Sequence, residues 1–216
     1  MRLKVSFTAD FSCPWCFIGE RRLFRAIDEL GSDTQIDIDY RPFELNPHIP
    51  ARGMDRKEYR TRKFGSWEQS QAMDARVTAV GKTDGIALNF GRVTRTPNTL
   101  AAHSLMRLAA KEDCQRVLAD KLFLAYFSDG RDLSDPAVLR VIASESELLR
   151  DQIDAVLGAR EGEEEVRALE QEAYHRGIRG VPLFEIGAAT ISGAQPVAML
   201  ADALRRIETP RSPAAI

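Results

Sequence analysis

Cys13 and Cys16 stand where a strand-like run ends and a helix-like run begins. Apolar and polar residues alternate over residues 3–8, which is typical of a strand, and the run after the cysteines keeps helical spacing to about Leu30. Two cysteines three positions apart on a helix lie on one face, close enough to form a disulfide or to share a proton. The free N–H groups and the dipole of a helix N-terminus stabilise a thiolate. We therefore interpret the pair as a reactive dithiol.

The composition is that of a soluble globular protein. Hydrophobic residues make up 44% of the 216 residues, enough for a substantial core, and charged residues make up 29%. The formal net charge of −2 gives no reason to expect nucleic acid or an anionic membrane as a partner.

The amino-terminal residues show neither a continuous apolar segment nor a small-residue cleavage site, so we expect no secretory signal and a cytoplasmic location. No run of about 18 apolar residues predicts a membrane-spanning helix. A structural disulfide rarely persists in the cytoplasm, so the cysteine pair is expected to be catalytic or metal-binding.

A closed zinc site commonly needs four ligands in two spaced pairs. This chain has three cysteines and three histidines, and no second ligand pair is visible among them. Redox chemistry is therefore favoured, and a metal site is the weaker alternative. Besides Cys13 and Cys16, these residues are Cys114, His48, His103 and His175.

The first part of the chain predicts a β–α–β unit with parallel strands, because residues 36–40 again alternate between apolar and charged. A block of predicted helices follows, and then a hairpin that turns at Gly187-Ala188, a last helix and a frayed tail. We expect helices over 54–80, 101–109, 118–127 and 150–157, one from Pro136 after a cap at Ser134-Asp135, and one from an acidic run at 161–165. The aromatic residues of the first helix (Tyr59, Phe64 and Trp67) are interpreted as packing. We place the hairpin at 181–192, the last helix around 197–204 and the tail at 209–216.

Pro182 lies at the start of a predicted strand, where a proline removes a ladder hydrogen bond. A cis-proline beside the active site explains this position, and an ordinary proline on an edge strand is the alternative.

Several motifs together resemble the DsbA-like branch of the thioredoxin superfamily, and most closely its cytoplasmic FrnE-like thiol–disulfide oxidoreductases. The resemblance implies an α/β thioredoxin fold, βαβ … ββα, interrupted by a helical insertion. It predicts a thioredoxin-fold domain of residues 1–50 and 176–216, with the preceding helix 163–175, and an insertion domain of residues 51–162. The motifs are Cys13-Pro14-Trp15-Cys16, Asn46-Pro47, Arg95-Thr96-Pro97-Asn98-Thr99, Gly180-Val181-Pro182-Leu183-Phe184 and Ile191-Ser192-Gly193-Ala194-Gln195-Pro196.

The resemblance also implies the roles of the site residues. Cys13 would be the exposed nucleophile and Cys16 the resolving thiol. Pro182 would be cis and lie against the dithiol as part of the catalytic site, and Val181 would pair its backbone with an extended substrate. The substrate would be a thiol or disulfide in a protein, a peptide or glutathione.

Pro14 and Trp15, which are predicted to contact substrate, replace the Pro-His pair of strongly oxidising periplasmic relatives. A histidine there could add positive charge beside the thiolate, whereas tryptophan cannot. We therefore expect a more reducing couple than in those relatives.

A sister group of similar architecture contains hydroxychromene carboxylate isomerases and kappa-class glutathione transferases, with serine at the position of Cys13. In this chain Asn46, Asn98 and Val181 could hold glutathione, the one ligand suggested besides the redox-active disulfide itself. A glutathione-dependent isomerase or transferase is therefore one alternative function, and a non-catalytic metal-binding or interaction module is another. The oligomeric state is left open between monomer and homodimer.

Four further residues are assigned structural roles first. Asp10 fits a turn or cap, with proton transfer as the equal alternative. His103 is expected to pack or to hydrogen-bond rather than to catalyse, and Cys114 to be an incidental thiol. Gly19 is expected to permit close packing near the active site, because glycine within a helix costs about 1 kcal/mol.

Overall fold

The predicted β–α–β unit forms at the amino-terminal end of the chain. The computed structural model describes residues 2–31, 35–160 and 162–208. The two strands pair in parallel, as predicted, with Phe7 opposite Tyr40. The unit consists of β1 (Arg2–Ala9), α1 (Pro14–Asp28) and β2 (Gln35–Pro42).

A mostly helical segment separates this unit from the rest of the sheet, as expected. Two short strands inside it pair with each other and form a separate antiparallel ladder. The elements are β3 (Met54–Asp55), α2 (Arg56–Phe64), α3 (Trp67–Thr83), β4 (Arg95–Thr96), α4 (Leu100–Lys111), α5 (Gln115–Phe123), a π-helical turn (Leu124–Ser128), α6 (Pro136–Ser144), α7 (Arg150–Ala159) and α8 (Glu163–His175).

The single helix predicted over 54–80 is wrong in detail, because the chain forms two helices there. Gly65, at φ 91°, ends α2 in a backbone conformation that favours glycine. The Ser66 side chain then accepts a hydrogen bond from the Gln69 N–H and caps α3. A new N-cap directly after a helix-ending glycine starts a second helix in a new direction.

The other helices agree more closely with their predicted positions. Asp135 caps α6 by accepting from the Ala137 N–H, and proline follows it at the first helical position, as predicted. The apolar run 118–127 continues beyond α5 as the π-helical turn. Residue 161 and the tail 209–216 lie outside the described residues.

The last part of the chain completes the sheet. Its strand order is β2-β1-β5-β6, with β5 antiparallel to both of its neighbours. The first of these strands begins two residues later than predicted, because Val181 and Pro182 precede it as a cis peptide. The elements are β5 (Leu183–Ile186), β6 (Ala189–Ser192) and α9 (Val197–Glu208). The predicted thioredoxin-type order, βαβ … ββα with a helical insertion, is confirmed.

One buried hydrophobic cluster joins the sheet to the helical segment. The Phe7 and Phe184 rings stack at 4.8 Å across β1 and β5. On the other side of α1, the Phe17 ring stacks on Phe123 of α5 at 5.3 Å. Burying each such side chain stabilises the fold by about 1.5–3 kcal/mol, so α1 is held from both sides. None of the described helices is both long and apolar enough to cross a membrane.

Candidate active site

The turn that leads into α1 is fixed by one buried carboxylate. Asp10 accepts hydrogen bonds from the Ser12 N–H (2.9 Å) and the Leu45 N–H (2.6 Å), and its own carbonyl oxygen accepts from the Cys13 N–H at 3.0 Å. The Asp10 residue is completely buried. These contacts match the turn role expected for Asp10, and they place Cys13 at the N-cap of α1 with Pro14 at the first helical position.

The two cysteines have different surroundings. Both are free thiols, but Cys13 lines a cavity, whereas Cys16 is fully buried. Only 5% of the Cys13 surface is exposed, so the expected exposure of Cys13 is wrong, while its role as nucleophile stays a prediction. Burial raises the pKa of the Cys16 thiol well above its usual value, and the hydrogen bond with Cys13 raises it further.

The segment around the cis-proline lies against the dithiol, as predicted. The Cys13 thiol faces the Val181 carbonyl oxygen, with an Sγ–O distance of 3.9 Å. A Cβ placed on Gly19 of α1 would lie 3.2 Å from Pro182 Cγ and 3.0 Å from Phe184 Cζ. The close approach expected at Gly19 is therefore present, and it brings α1 against the Val181–Pro182 peptide.

The cavity beside Cys13 has a volume of about 180 Å³. Pro14 and Trp15 form part of its wall on the cysteine side, and the Trp15 side chain is among the exposed large hydrophobic residues. The opposite wall comes from the helical segment, chiefly from α2 and α3. Residues of the amino-terminal unit and of the helical segment therefore enclose one cavity, and Cys13 lines it.

The two predicted asparagines have different positions. Asn46 lines the cavity, and its amide nitrogen donates to Ser12 Oγ at 3.4 Å. Asn98 is not among the described residues that form the lining. Its amide nitrogen donates to the Ile49 carbonyl oxygen at 2.9 Å, and its amide oxygen accepts from the Leu100 N–H at the start of α4. Asn98 therefore links the segment at Ile49 to the start of α4 and does not lie in the cavity lining beside Cys13.

Four polar or charged residues of α2 in the cavity wall were missed as site residues by the sequence analysis. Aromatic residues in this polar stretch were interpreted as packing, and its cations were not considered. A signal was present, because positions 56, 60 and 63 repeat at helical spacing and all carry positive charge. The four residues are Arg56, Tyr59, Arg60 and Lys63.

Two of these cations share one carboxylate. Arg56 Nη2 lies 2.6 Å from Asp74 Oδ2, and Arg60 Nη2 lies 3.0 Å from Asp74 Oδ1. Lys63 has a different partner, because its ammonium donates to Asn46 Oδ1 at 2.6 Å. The Tyr59 hydroxyl donates to the same amide oxygen. Asn46 therefore connects α2 to Ser12, directly before Cys13.

His103 and Cys114 lie outside the cavity lining formed by the described residues. His103 packs on the Phe11 ring at 5.1 Å, and burial lowers the pKa of its imidazole to about 4, which keeps it neutral near pH 7. Cys114 stands at the N-cap of α5, where partial burial raises its pKa. Across residues 2–31, 35–160 and 162–208, no group of three or more His, Cys, Asp or Glu is arranged to hold a metal ion.

The chain matches a family model described as the DSBA-like thioredoxin domain over residues 4–205. Its structure is similar to that of a probable DsbA oxidoreductase from Streptomyces coelicolor, at 30% sequence identity and a TM-score of 0.86, covering 99% of this chain and 93% of that one.

Two further solved structures share the architecture at lower identity. A 2-hydroxychromene-2-carboxylate isomerase is 17% identical with a TM-score of 0.74, covering 95% of this chain and 96% of that chain. The cytosolic disulfide reductase DsbM from Pseudomonas aeruginosa, solved with GSH, is 18% identical with a TM-score of 0.63, covering 96% and 100%. At these identities the two likenesses concern the fold alone.

Proposed function

Because this chain belongs to the DsbA-like thioredoxin domain family, we propose that it is a thiol–disulfide oxidoreductase that uses Cys13 and Cys16 as its dithiol. The observation that carries the proposal is the unequal placement of two free thiols at one helix N-terminus. Cys13 faces both the cavity and the Val181 carbonyl oxygen, while Cys16 lies buried behind it.

In the first step, the Cys13 thiolate attacks one sulfur of a substrate disulfide. A bond forms between Cys13 Sγ and that sulfur, the substrate S–S bond breaks, and the second substrate sulfur leaves as a thiolate. The N-terminus of α1 stabilises the attacking thiolate, since its unpaired N–H groups carry partial positive charge. Cys13 takes this role because it is the cysteine that reaches the cavity.

In the second step, Cys16 attacks Cys13 Sγ, forms the intramolecular disulfide and releases the substrate as a dithiol. Because its pKa is raised, the Cys16 thiol loses its proton as it attacks, and the departing substrate thiolate takes that proton up. The substrate is thereby reduced by two electrons and the Cys13–Cys16 pair is oxidised. The reverse sequence oxidises a substrate dithiol, and isomerisation uses only the first step and its reversal.

Substrate contacts are proposed for Val181, Trp15, Pro14 and Asn46. The backbone of Val181 lies beside Cys13, which supports pairing with an extended substrate strand. The exposed face of Trp15 offers an apolar surface next to the nucleophile. Asn98 is withdrawn from this set, because its amide nitrogen already binds the Ile49 carbonyl oxygen and its amide oxygen the Leu100 N–H. Glutathione is one small candidate substrate, and the DsbM structure contains GSH in a similar fold.

Trp15, between the two cysteines, adds no positive charge beside the thiolate, which supports a reducing rather than a strongly oxidising couple. A reducing couple suits the cytoplasm, which stays the predicted location. A glutathione-dependent isomerase gains no specific support, because the likeness to the 2-hydroxychromene-2-carboxylate isomerase concerns the fold alone. Two cysteines also suit thiol–disulfide exchange better than the single serine that activates glutathione in the isomerase group.

The test is insulin reduction by wild type, Cys13→Ser and Cys16→Ser, with Cys114→Ser as the matched control. We expect Cys13→Ser to lose activity, because it lacks the nucleophile that reaches the cavity. Cys16→Ser should lose turnover but trap a mixed disulfide on Cys13, visible by mass spectrometry, and Cys114→Ser should behave as wild type. Equal activity of wild type and Cys13→Ser would contradict the proposed function.

A further inference from the structure

The wall opposite the dithiol carries an excess of positive charge. The cavity is lined by three cationic side chains and a single carboxylate, which gives this lining a formal charge of +2. That carboxylate, Asp74, is buried and already bound by Arg56 and Arg60. Because two arginines share this one carboxylate, one excess charge lies on the arginine pair. The other lies on Lys63, which has no carboxylate partner among the described residues.

Lys63 keeps donor capacity for a ligand. Its ammonium carries three N–H donors, and one of them is directed to Asn46 Oδ1. Among the residues described in the structure, no carboxylate forms an ion pair with it, and its other neighbours are the Tyr59 and Phe64 rings, at 5.4 and 5.8 Å from Nζ to the ring centroids. The side chain is exposed, so the two remaining donors are open to an anion.

The position of this charge is fixed relative to the nucleophile. Lys63 binds Asn46, and Asn46 in turn donates to Ser12 Oγ, in the residue directly before Cys13. Tyr59 donates to the same Asn46 oxygen and limits the rotation of that amide. A short chain of side chains thus links the ammonium to the residue before Cys13, and Lys63 and Cys13 line the same cavity.

We propose that Lys63 selects substrates with a carboxylate a few bonds from the reacting sulfur, meaning small acidic thiols and disulfides or acidic flanks of a peptide cysteine. This inference rests on the proposed function and specifies its substrate class. The cavity is smaller than the roughly 300–1,000 Å³ of pockets that enclose whole ligands. It therefore suits a short charged arm, with the rest of the substrate outside.

The test uses three symmetric disulfides of matched length: dithiodipropionate, its diamide and cystamine, which are anionic, neutral and cationic. The rate constant for oxidation of the reduced protein is measured for each and divided by the rate constant for a free dithiol, which removes differences in intrinsic reactivity. Wild type should favour dithiodipropionate over the diamide by about 3- to 5-fold at low salt, the size of one partly screened charge pair, with cystamine slowest.

Lys63→Gln should reduce the ratio of the dithiodipropionate rate constant to the diamide rate constant to less than about twofold, because glutamine carries no charge. Lys63→Arg should retain the preference. Lys57→Gln is the control, since Lys57 is an exposed cation on the same helix outside the cavity lining. High salt should weaken the preference of wild type and have little effect on Lys63→Gln.

An equal preference in wild type and Lys63→Gln, or no preference in wild type, would overturn the inference and leave the proposed function standing. Failure of the reduced protein to react with any of the three disulfides would instead overturn the proposed function, and this inference with it.

Discussion

At the scale of single residues, buried polar groups decide how the dithiol is presented. The Asp10 carboxylate accepts hydrogen bonds from two backbone N–H groups and so holds the turn that leads into α1. Glu20 lies on α1, one helical turn after Cys16, and is completely buried. The Tyr40 hydroxyl donates to Glu20 Oε1 at 2.8 Å, while Oε2 finds no partner among the described residues. Burial raises the pKa of Glu20 to about 8.

Glu20 should make stability fall as the pH rises. Its folded pKa lies above the usual 4.5, so its contribution is fully present below about pH 4.5 and is lost as the pH rises through about 8. Glu20→Gln cannot ionise, so its free energy of unfolding should change less between pH 5 and pH 9, by on the order of a few kcal/mol. Urea denaturation at several pH values measures this.

Glu164→Gln serves as the control for this measurement, because Glu164 is exposed at the start of α8. Its pH dependence should follow that of wild type. A Glu20→Gln curve parallel to the wild-type curve would show that Glu20 ionises as easily in the folded chain as in the unfolded one.

At the scale of elements, the contact between α1 and β5 holds the cis-proline segment against the cysteines. Gly19 makes this possible, because the Phe184 ring and the Pro182 ring occupy the space beside its Cα. The helical spacing of α1 and the alternation of β1 are readable from the sequence. The distance between α1 and β5 cannot be predicted from the sequence, because it depends on which side chains pack together although they are more than 160 residues apart in the chain.

Gly19→Ala should destabilise the protein by about 1–3 kcal/mol, although alanine is the better helix former, because its methyl group would crowd Phe184 at 3.0 Å. Gly158→Ala is the matched control: Gly158 lies in α7 and a Cβ there meets nothing within 4 Å. That control should stabilise by about 0.5–1 kcal/mol. Thermal or urea denaturation gives both values, and stabilisation of similar size at both positions would contradict the packing argument.

At the scale of the whole molecule, one arginine connects three parts of the chain. Arg22 of α1 donates through Nε and Nη2 to Asp84, just after α3, and through Nη1 to the Ala194 carbonyl oxygen before α9. The Asp84 side chain is only 5% exposed, so little solvent screens this pair. This contact joins the helical segment, which carries Arg56, Arg60 and Lys63 of the cavity wall, to the helix that carries the two cysteines.

Arg22→Ala should therefore lower the free energy of unfolding by about 3–5 kcal/mol, since it leaves a buried Asp84 carboxylate with the more exposed Arg25 as its remaining cation. Arg62→Ala is the control, because Arg62 pairs with Glu58 at the surface and should cost less than about 1 kcal/mol. Equal losses in urea denaturation would show that the connection contributes no more than a surface pair.

The sequence alone predicted the order of the main elements and the position of two thiols at the start of α1. Local periodicity, helix caps and turn residues depend on neighbours in sequence, so the β–α–β unit, the cap at Asp135 and the final hairpin could be predicted. The break at Gly65 also carries local signals, a helix-ending glycine and the Ser66 cap, but it was missed because the polar stretch around it has no core stripe that shows a change of direction.

Only the tertiary structure decided which distant residues share the site. It placed Lys63 and Asn46 beside the cysteine turn, bound the Asn98 amide to the distant Ile49 carbonyl oxygen and covered most of Cys13. The physical reason is that a cavity forms where separate elements pack, and packing depends on side chains far apart in sequence. The cysteine pair can therefore be predicted from the local sequence pattern, whereas the cationic residues that line the cavity with it cannot.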